Sequence, residues 1–595
     1  MTTLIPKFEQ TGSTVNRPIN LKFQETISVT DFGASPSNTA AQNDVAFHAA
    51  SRAIMANGGG TLLIPPGEYK VCQQKQNYTA TFGPDTGSGP YAWYAEPAIS
   101  INGCTSGVNI QGYGATLVMP DGQYFGSFTP GTTTPYTPTL PFWNIAYAAM
   151  PGFFIALYNN NGPVNVEGLE LNGNNTKYVV GGQWGDTGYQ VAADGIYVIN
   201  NFLTTIKNCV TSYCGRDGID LLRASVSFAS ESNPVRIENV ISEYNVRQGL
   251  SIQGGIDFVI DNCSFSNTGQ AINVGTTARL YSAPGSGIDI EPQTGTIVSD
   301  IAVNNCAMNN NYGIGFQTNT SAALGGNIAV NNCEIWQTHS YSISIDMGNV
   351  VFNNSRIYGT FRTVKSDASG LTATQFNSCS FGDPLYPPTG TISGQGTTTP
   401  GVVGIGNAPG VRFTNCAFSA TYQPMGSMND CIIENCSFQQ NASTLPDKSW
   451  VLDISGATMI NNRITDNNFS PTANGYYVKL NFSQTFIGNN YINNLVPNTP
   501  LKWVTWDAAD GGYGGYYGST SGDWTAQYFL GINKGLGINS YNGYIRMFAF
   551  TAAPITGTWK VGDRVYNQTP VVGQPKSWVC TVAGTPGTWV SEGNL

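Results

Sequence analysis

The chain has 595 residues, of which 10% are charged, and a formal net charge of −10 from 26 basic and 36 acidic side chains. No basic block stands out, which argues against a nucleic-acid partner, and no run of about 18 apolar residues is present, which argues against membrane insertion. A hydrophobic content of 41% excludes a disordered chain.

Length alone predicts about three or four domains. The low charge, the 70 glycines and the abundance of Asn, Ser and Thr point instead to a repeat of short strands and tight turns. The N-terminus, Met1 to Lys7, lacks the apolar core of a signal peptide. Residues 1–26 are polar and irregular, with Pro6, Gly12 and Pro18, and are expected to form a docking tail or linker. A strand and turn follow over Ile27–Ala34. Asn43–Ala56 reads as an amphipathic helix with Asn43 as N-cap, Val45, Ala49, Ala53 and Ala56 on its apolar face, and Gly58-Gly59-Gly60 ending it. Thr61–Tyr69 is a further strand and turn. A solenoid needs its first coil covered, and this helix is placed to do so.

The segments Asp31-Phe32-Gly33-Ala34, Asn43-Asp44, Gly58-Gly59-Gly60-Thr61-Leu62 and Pro65-Pro66-Gly67-Glu68-Tyr69 resemble the opening of pectate-lyase-like right-handed parallel β-helix proteins. Leu4-Ile5-Pro6-Lys7 and Gln24–Val29 resemble the leader of bacteriophage tailspike depolymerases. The resemblance implies an all-β fold: a right-handed parallel β-helix solenoid with an N-terminal capping helix and a C-terminal all-β module. It also implies a homotrimer on a virion tail, joined to the phage tail or baseplate through the N-terminus. It does not fix the reaction, since one fold hosts many chemistries.

From about 160 to 440 an Asn-Cys or Asn-Val element recurs: Asn208-Cys209, Asn239-Val240, Asn262-Cys263, Asn305-Cys306, Asn332-Cys333, Asn354-Ser355, Ser378-Cys379, Asn415-Cys416 and Asn435-Cys436. Several spacings match one coil of a β-helix. Repeated Asn at a turn suits a stacked amide ladder. The twelve cysteines read as small buried hydrophobes, because they repeat with the coil and lack C-x-x-C metal spacing. Between Cys263 and Cys306 an insertion, Gln270 to Ser286, is placed to shape a groove. Residues 120–150, rich in Pro, Thr and aromatics, read as a loop insertion. Beyond about 500 the repeat stops, and Trp503, Trp506, Trp524 and the Gly/Tyr run 511–517 appear. The expected domains are therefore a 1–26 tail, a 27–500 β-helix catalytic domain, and a 501–595 β module for trimerisation or carbohydrate contact.

Strands beginning at Gly195, Gly218, Gly249, Gly287, Gly313 and Ser342 align by eye. Their second and fourth residues are apolar and face the core; the third and fifth face outward. The third column is then Tyr197, Asp220, Ser251, Asp289, Gly315 and Ser344, and the fifth is Ile199, Leu222, Gln253, Glu291, Gln317 and Asp346. Asp289 and Glu291 on one strand face, with Asp220 and Asp346 about two coils away, are the candidate catalytic carboxyls. Glycoside cleavage needs one protonated and one ionised carboxyl at separations of this order, and crowding raises the proton affinity of one of them. Gln253, Gln317, Arg216, Arg247, Arg279 and Tyr197 are candidate substrate contacts, the arginines either gripping anionic sugar groups or pairing with acids. Asp194, Asp217 and Asp257 read as turn residues. With only two histidines, His48 in the helix and His339 at a turn, a Ser/His/Asp triad or zinc site has little to work with, and no metal or cofactor is expected. The expected function is hydrolysis of a bacterial surface polysaccharide, capsule or O-antigen. A polysaccharide lyase using Arg216, Arg247, Tyr244 or His339, and a non-enzymatic receptor-binding spike, are the alternatives.

Overall fold

The computed structural model describes residues 26–138, 144–187, 190–223, 234–319, 325–337, 339–359, 373–382, 411–420, 432–440 and 547–595, with short strands elsewhere. The expected roles of residues 1–25 as a tail and of the Trp/Tyr-rich stretch 503–524 fall outside them.

The described chain is a parallel β-helix. Three columns of short strands run along it, each strand hydrogen-bonded to its counterpart one coil on. One column is a nine-stranded parallel sheet in strict chain order: β1 (Ile99–Asn102), β2 (Ile155–Tyr158), β3 (Ile196–Ile199), β4 (Asp217–Leu222), β5 (Gln248–Ile252), β6 (Ser286–Ile290), β7 (Phe316–Thr318), β8 (Ile343–Ile345) and β9 (Phe361–Thr363). The other two columns start from the short strands Thr26–Ser28, Gly60–Leu63 and Gly67–Lys70, run together through the long strands Val108–Val118 and Pro163–Asn172, and then separate into pairs such as Gly255–Asp261 and Ser264–Ser266.

The break within each pair is the Asn-Cys element. Asn208, Asn239, Asn262, Asn305, Asn332, Asn354, Asn415 and Asn435 all have φ between 49° and 57°, and Ser378 has φ 54°. Asn tolerates this left-handed conformation better than other residues with a Cβ. Each such residue therefore turns the chain through a corner. The amides also stack: Asn239 Nδ2 donates to Asn208 Oδ1 at 3.1 Å, Asn262 to Asn239 at 2.6 Å, and Asn435 to Asn415 at 2.6 Å. After the long insertion the ladder changes partner, and Asn305 Nδ2 bonds Asp261 Oδ1 at 2.9 Å. The cysteine beside each corner points inward; all described cysteines are buried and free. Further in, phenylalanines repeat with the coil, Phe376–Phe413 at 5.0 Å and Phe381–Phe418 at 4.6 Å between ring centroids. These distances follow the spacing of neighbouring strands.

Helix α1 (Ala40–Ala56) is the only α-helix among the described residues and packs on the strands of the first coils. It starts earlier than the apolar spacing predicts. Thr39 is the N-cap, closing a capping box with Gln42. Asn43 instead lies buried, accepting from Ser35 N and donating to Lys70 O, both at 3.0 Å. The buried face is Ala46, Phe47, Ala50 and Ile54, while Val45 is 70% exposed. Four small or branched residues at helical spacing marked the wrong stripe, because Phe47 and Ile54 bury more apolar area than three alanines.

Residues 120–150 are more than a loop. Tyr124–Ser127 and Ala148–Met150 join Lys75–Thr79, Pro90–Tyr94 and Val179–Val180 in a five-stranded sheet. Its aromatic side chains build a cluster of Tyr91, Tyr94, Phe125 and Tyr178 that also contains Val191, Val246 and Leu280, from the segments leading into the nine-stranded sheet. Residues 547–595 form a separate four-stranded sheet around Trp559, Val565 and Cys580. No described helix is long and apolar enough to cross a membrane.

Candidate active site

The outward face of the nine-stranded sheet carries one continuous column. Its register runs Ala156, Tyr197, Asp220, Ser251, Asp289, Gln317 and Ser344. Asp220 and Asp289 are therefore two coils apart with Ser251 between them. Gln317 stands next to Asp289, in the place expected for Gly315; the expected register is off by two residues there. Gly313-Ile314 and Gly315-Phe316 both satisfy the alternation, and a period of two fixes which face a residue takes but not a shift of two along the strand. Asn319 then takes the place beside Glu291: its N–H bonds Ile290 O at 2.8 Å, as Glu291 N bonds Ile252 O at 2.9 Å and Asp346 N bonds Thr318 O at 3.0 Å. Asp346 is half-buried, two coils beyond Glu291.

A second column joins this one. Asp217, Gln248 and Ser286 pair in register, and Asp194 precedes them, each immediately before a glycine. Asp217 and Asp220 are three residues apart, yet both carboxylates face Arg216. Regular alternation would put them on opposite faces. The phase changes at Gly218, where a Cβ would fall 2.0 Å from Ser242 Oγ, so only glycine fits.

The result is a charge network and not an open wall. Arg216 donates from Nε to Asp194 Oδ1 at 2.8 Å and from Nη2 to Asp194 Oδ2 at 2.5 Å and Asp220 Oδ2 at 2.7 Å. Gln253 Nε2 donates to the other Asp220 oxygen at 2.8 Å. Arg247 bridges Asp217 Oδ2 at 3.4 Å and Glu291 Oε2 at 3.0 Å. Asp289 accepts from Gln248 Nε2 and from Asn319 Nδ2, the latter at 3.1 Å. Asp194, Asp217, Asp220 and Asp289 are buried; the Glu291 side chain is 36% exposed and is the carboxylate of the network that meets solvent. Asp220 and Asp289, expected on the outward face, do lie on that column but are buried there, and Asp194 and Asp217, expected as turn residues, belong to the charge network. Beside the network, Tyr94 of the aromatic cluster bonds Asp85 at 3.1 Å, and Asp85 feels the charges of Arg216 and Asp194.

Two guanidinium groups here face five carboxyls. Burial lifts Asp217 to about 7 against the pull of Arg247 and Arg216. Burial lifts Asp220 well above the carboxylate range, with Arg216 opposing. Burial and then the Glu291 charge do the same to Asp289. Such a site keeps protons at neutral pH.

The remaining candidates lie at the margins. Tyr197 stacks on Phe153 at 4.8 Å, and burial pushes its phenol up. Arg216 and Arg247 are engaged with acids. Arg279 is exposed on the insertion, over the Tyr312 ring at 4.4 Å. His339 lies 5.0 Å from the same ring, and Tyr244 stacks on Tyr213. Asp194, Asp217, Gln248 and Asn319 were missed. For the first three the signal was an acid or amide before glycine in successive coils; Asn319, which precedes Thr320, carries no such signal.

No family model matches the chain, and no curated protein matches it. Among solved structures it is similar to the A-module of the Azotobacter vinelandii mannuronan C-5 epimerase AlgE6, at 13% identity and TM-score 0.33, covering 79% of this chain and 100% of that one. It is similar to the tailspike gp49 of Pseudomonas phage LKA1, at 11% identity and TM-score 0.40, covering 80% and 82%. It is also similar to the tailspike gp49 of Acinetobacter baumannii bacteriophage Fri1, a capsular polysaccharide depolymerase, at 13% identity and TM-score 0.28, covering 84% and 67%. At these scores the likenesses carry no functional argument, and function rests on the chain's own residues.

Proposed function

We propose that the chain is a phage tailspike that binds and depolymerises a bacterial surface polysaccharide, capsule or O-antigen, by glycosidic hydrolysis at the Glu291 end of the carboxyl network. The observation that carries this reading is the contrast between two carboxyls on adjoining positions of one strand face. Glu291 is paired with Arg247 and reaches solvent. Asp289, two residues earlier, is buried among side-chain amides and held toward its protonated form. Environments that push two carboxyls apart assign an acid and a base. Their Cα atoms lie about 7 Å apart along the strand.

In this reading Glu291 draws a proton from water as the water oxygen attacks the anomeric carbon. The bond from that carbon to the bridging oxygen breaks, and the bridging oxygen takes a proton from a water that Asp289, buried behind Glu291, reprotonates. Arg247 orients Glu291, and Gln253 and Arg216 orient Asp220 behind it. Homotrimerisation and attachment to a virion tail belong to the same proposal.

The test is incubation of the full chain with capsular polysaccharide from a panel of bacteria. Hydrolysis gives new reducing ends without ultraviolet absorbance, and Glu291→Gln abolishes them while glycan binding stays near normal. An absorbing unsaturated sugar would replace hydrolysis by β-elimination. Binding without shortening would leave an adhesin, and full activity in Glu291→Gln would move the chemistry to another groove.

A further inference from the structure

Arg216, Arg236, Arg247 and Arg356 are all paired with carboxylates. Arg279 is not: among the described residues no carboxylate lies within ion-pair distance of it, although the chain carries an excess of acids. It is exposed, and its guanidinium lies over the Tyr312 ring at 4.4 Å. A cation–π contact uses the charge of a guanidinium and does not consume its N–H donors, which can still grip a planar anion in bidentate fashion.

The surroundings are built to hold it there. Tyr281 meets Tyr312 edge-on at 4.7 Å, and His339 lies 5.0 Å from Tyr312 on its other flank. Both tyrosines and the histidine are half-buried. Burial, then the Arg279 charge, hold the His339 imidazole below its usual range, so at neutral pH it is an uncharged hydrogen-bonding group. The loop bearing Arg279 is itself fixed. Ile272 and Arg279 form a β-bridge, and Leu280 N bonds Ala271 O at 3.0 Å. The buried Asn273 amide donates to Tyr178 O at 2.9 Å and accepts from Gly275 and Thr276 N at 3.0 Å each. A donor set immobilised before a ligand arrives loses little entropy on binding it.

Tyr281, Tyr312 and His339 come from the segments that lead into β6, β7 and β8, so they stand at the opposite end of β6 from Glu291. The geometry points to a subsite here for a carboxylate-bearing sugar residue, with Arg279 gripping the carboxylate while Tyr281, Tyr312 and His339 contact the ring. This rests on the glycan-cleaving reading and narrows it: the polymer is acidic, and its acidic residue is held several sugar units from the bond at Glu291. Five residues of strand extend about 17 Å, more than one sugar ring.

The chain has two histidines, His48 and His339, so full-length protein carrying carbon-13 at the histidine Cε1 position gives two signals. His48 is buried in α1 and serves as the internal reference. Trigalacturonate and sialyllactose are the acidic probes; maltotriose and lactose are the neutral ones. The expected result is that an acidic probe moves the His339 signal saturably, leaves His48 in place, and binds at least tenfold more weakly to Arg279→Gln, while the neutral probes move neither signal. Equal shifts from acidic and neutral probes, no His339 shift with either acidic probe, or unchanged affinity in Arg279→Gln would each overturn the subsite. Capsule cleavage is read separately: selective acidic binding in a protein that cleaves nothing removes the enzymatic reading and keeps the subsite, and cleavage without selective binding does the reverse.

Discussion

The residue that best reports the chemistry of the network is Asp217. Its Oδ2 lies near both Arg216 and Arg247, and its Oδ1 is buried with no hydrogen-bond partner among the described residues. Burial lifts its carboxyl to about 7, against about 3.9 in an unfolded chain. Between these values the folded state holds a proton that the unfolded state has released. Stability therefore falls as pH rises from about 4 to about 7 and is level above that. Asp217→Asn imitates the protonated acid and removes this slope. Urea unfolding of the two proteins should give similar stability at pH 4.5, and at pH 7.5 the wild type should be the weaker by on the order of a few kcal/mol. A constant difference across that range would mean that Asp217 is ionised in the folded protein throughout. The neighbouring pair Asp289 and Glu291 was legible in the sequence because charge is scarce and two acids alternate on one strand. Asp217 was not, since Asp-Gly is ordinarily a turn and nothing local reveals that Arg216 and Arg247 both close on it.

At the scale of the element, the corner is the most readable unit of the chain. The Asn-Cys recurrence predicted both the coil and the amide ladder, because one residue type satisfies a left-handed backbone and a hydrogen-bonded stack together. Asn262 has φ 54° and donates to Asn239 Oδ1 at 2.6 Å. Asn262→Ala loses that bond, about 1 kcal/mol, and forces a Cβ-bearing residue without a local hydrogen bond into the left-handed region, about a further 1 kcal/mol. Asn262→Gly loses the bond alone. Chemical denaturation should therefore rank wild type above Asn262→Gly above Asn262→Ala, and equal losses in the two variants would show that backbone strain plays no part. The strand register was less readable. Gly313-Ile314-Gly315-Phe316 offers two equivalent phases, and hydrogen bonds from Gly287 N to Ile314 O and from Ile288 N to Gly315 O choose between them. The helix start was likewise misplaced by the pull of apolar spacing over the Thr39–Gln42 capping box.

At the scale of the whole molecule, the chain carries a net charge of −10, and the proposed acidic glycan is a polyanion. Long-range repulsion then slows encounter at low ionic strength, while the short-range grip of Arg279 acts only once the polymer has docked. The Debye length shrinks from about 30 Å at 0.01 M salt to about 8 Å at 0.15 M. Over that range the general repulsion between protein and polymer is largely screened, and contacts at hydrogen-bond distance are screened much less. Depolymerisation of an acidic capsule should therefore show kcat/KM rising several-fold between 0.01 and 0.15 M salt, with kcat nearly constant. A neutral substrate feels no such repulsion, and its kcat/KM should stay level. If instead kcat/KM on the acidic polymer falls steadily with salt, attraction by local basic groups dominates the encounter, and net charge is the wrong description of how this surface meets its substrate.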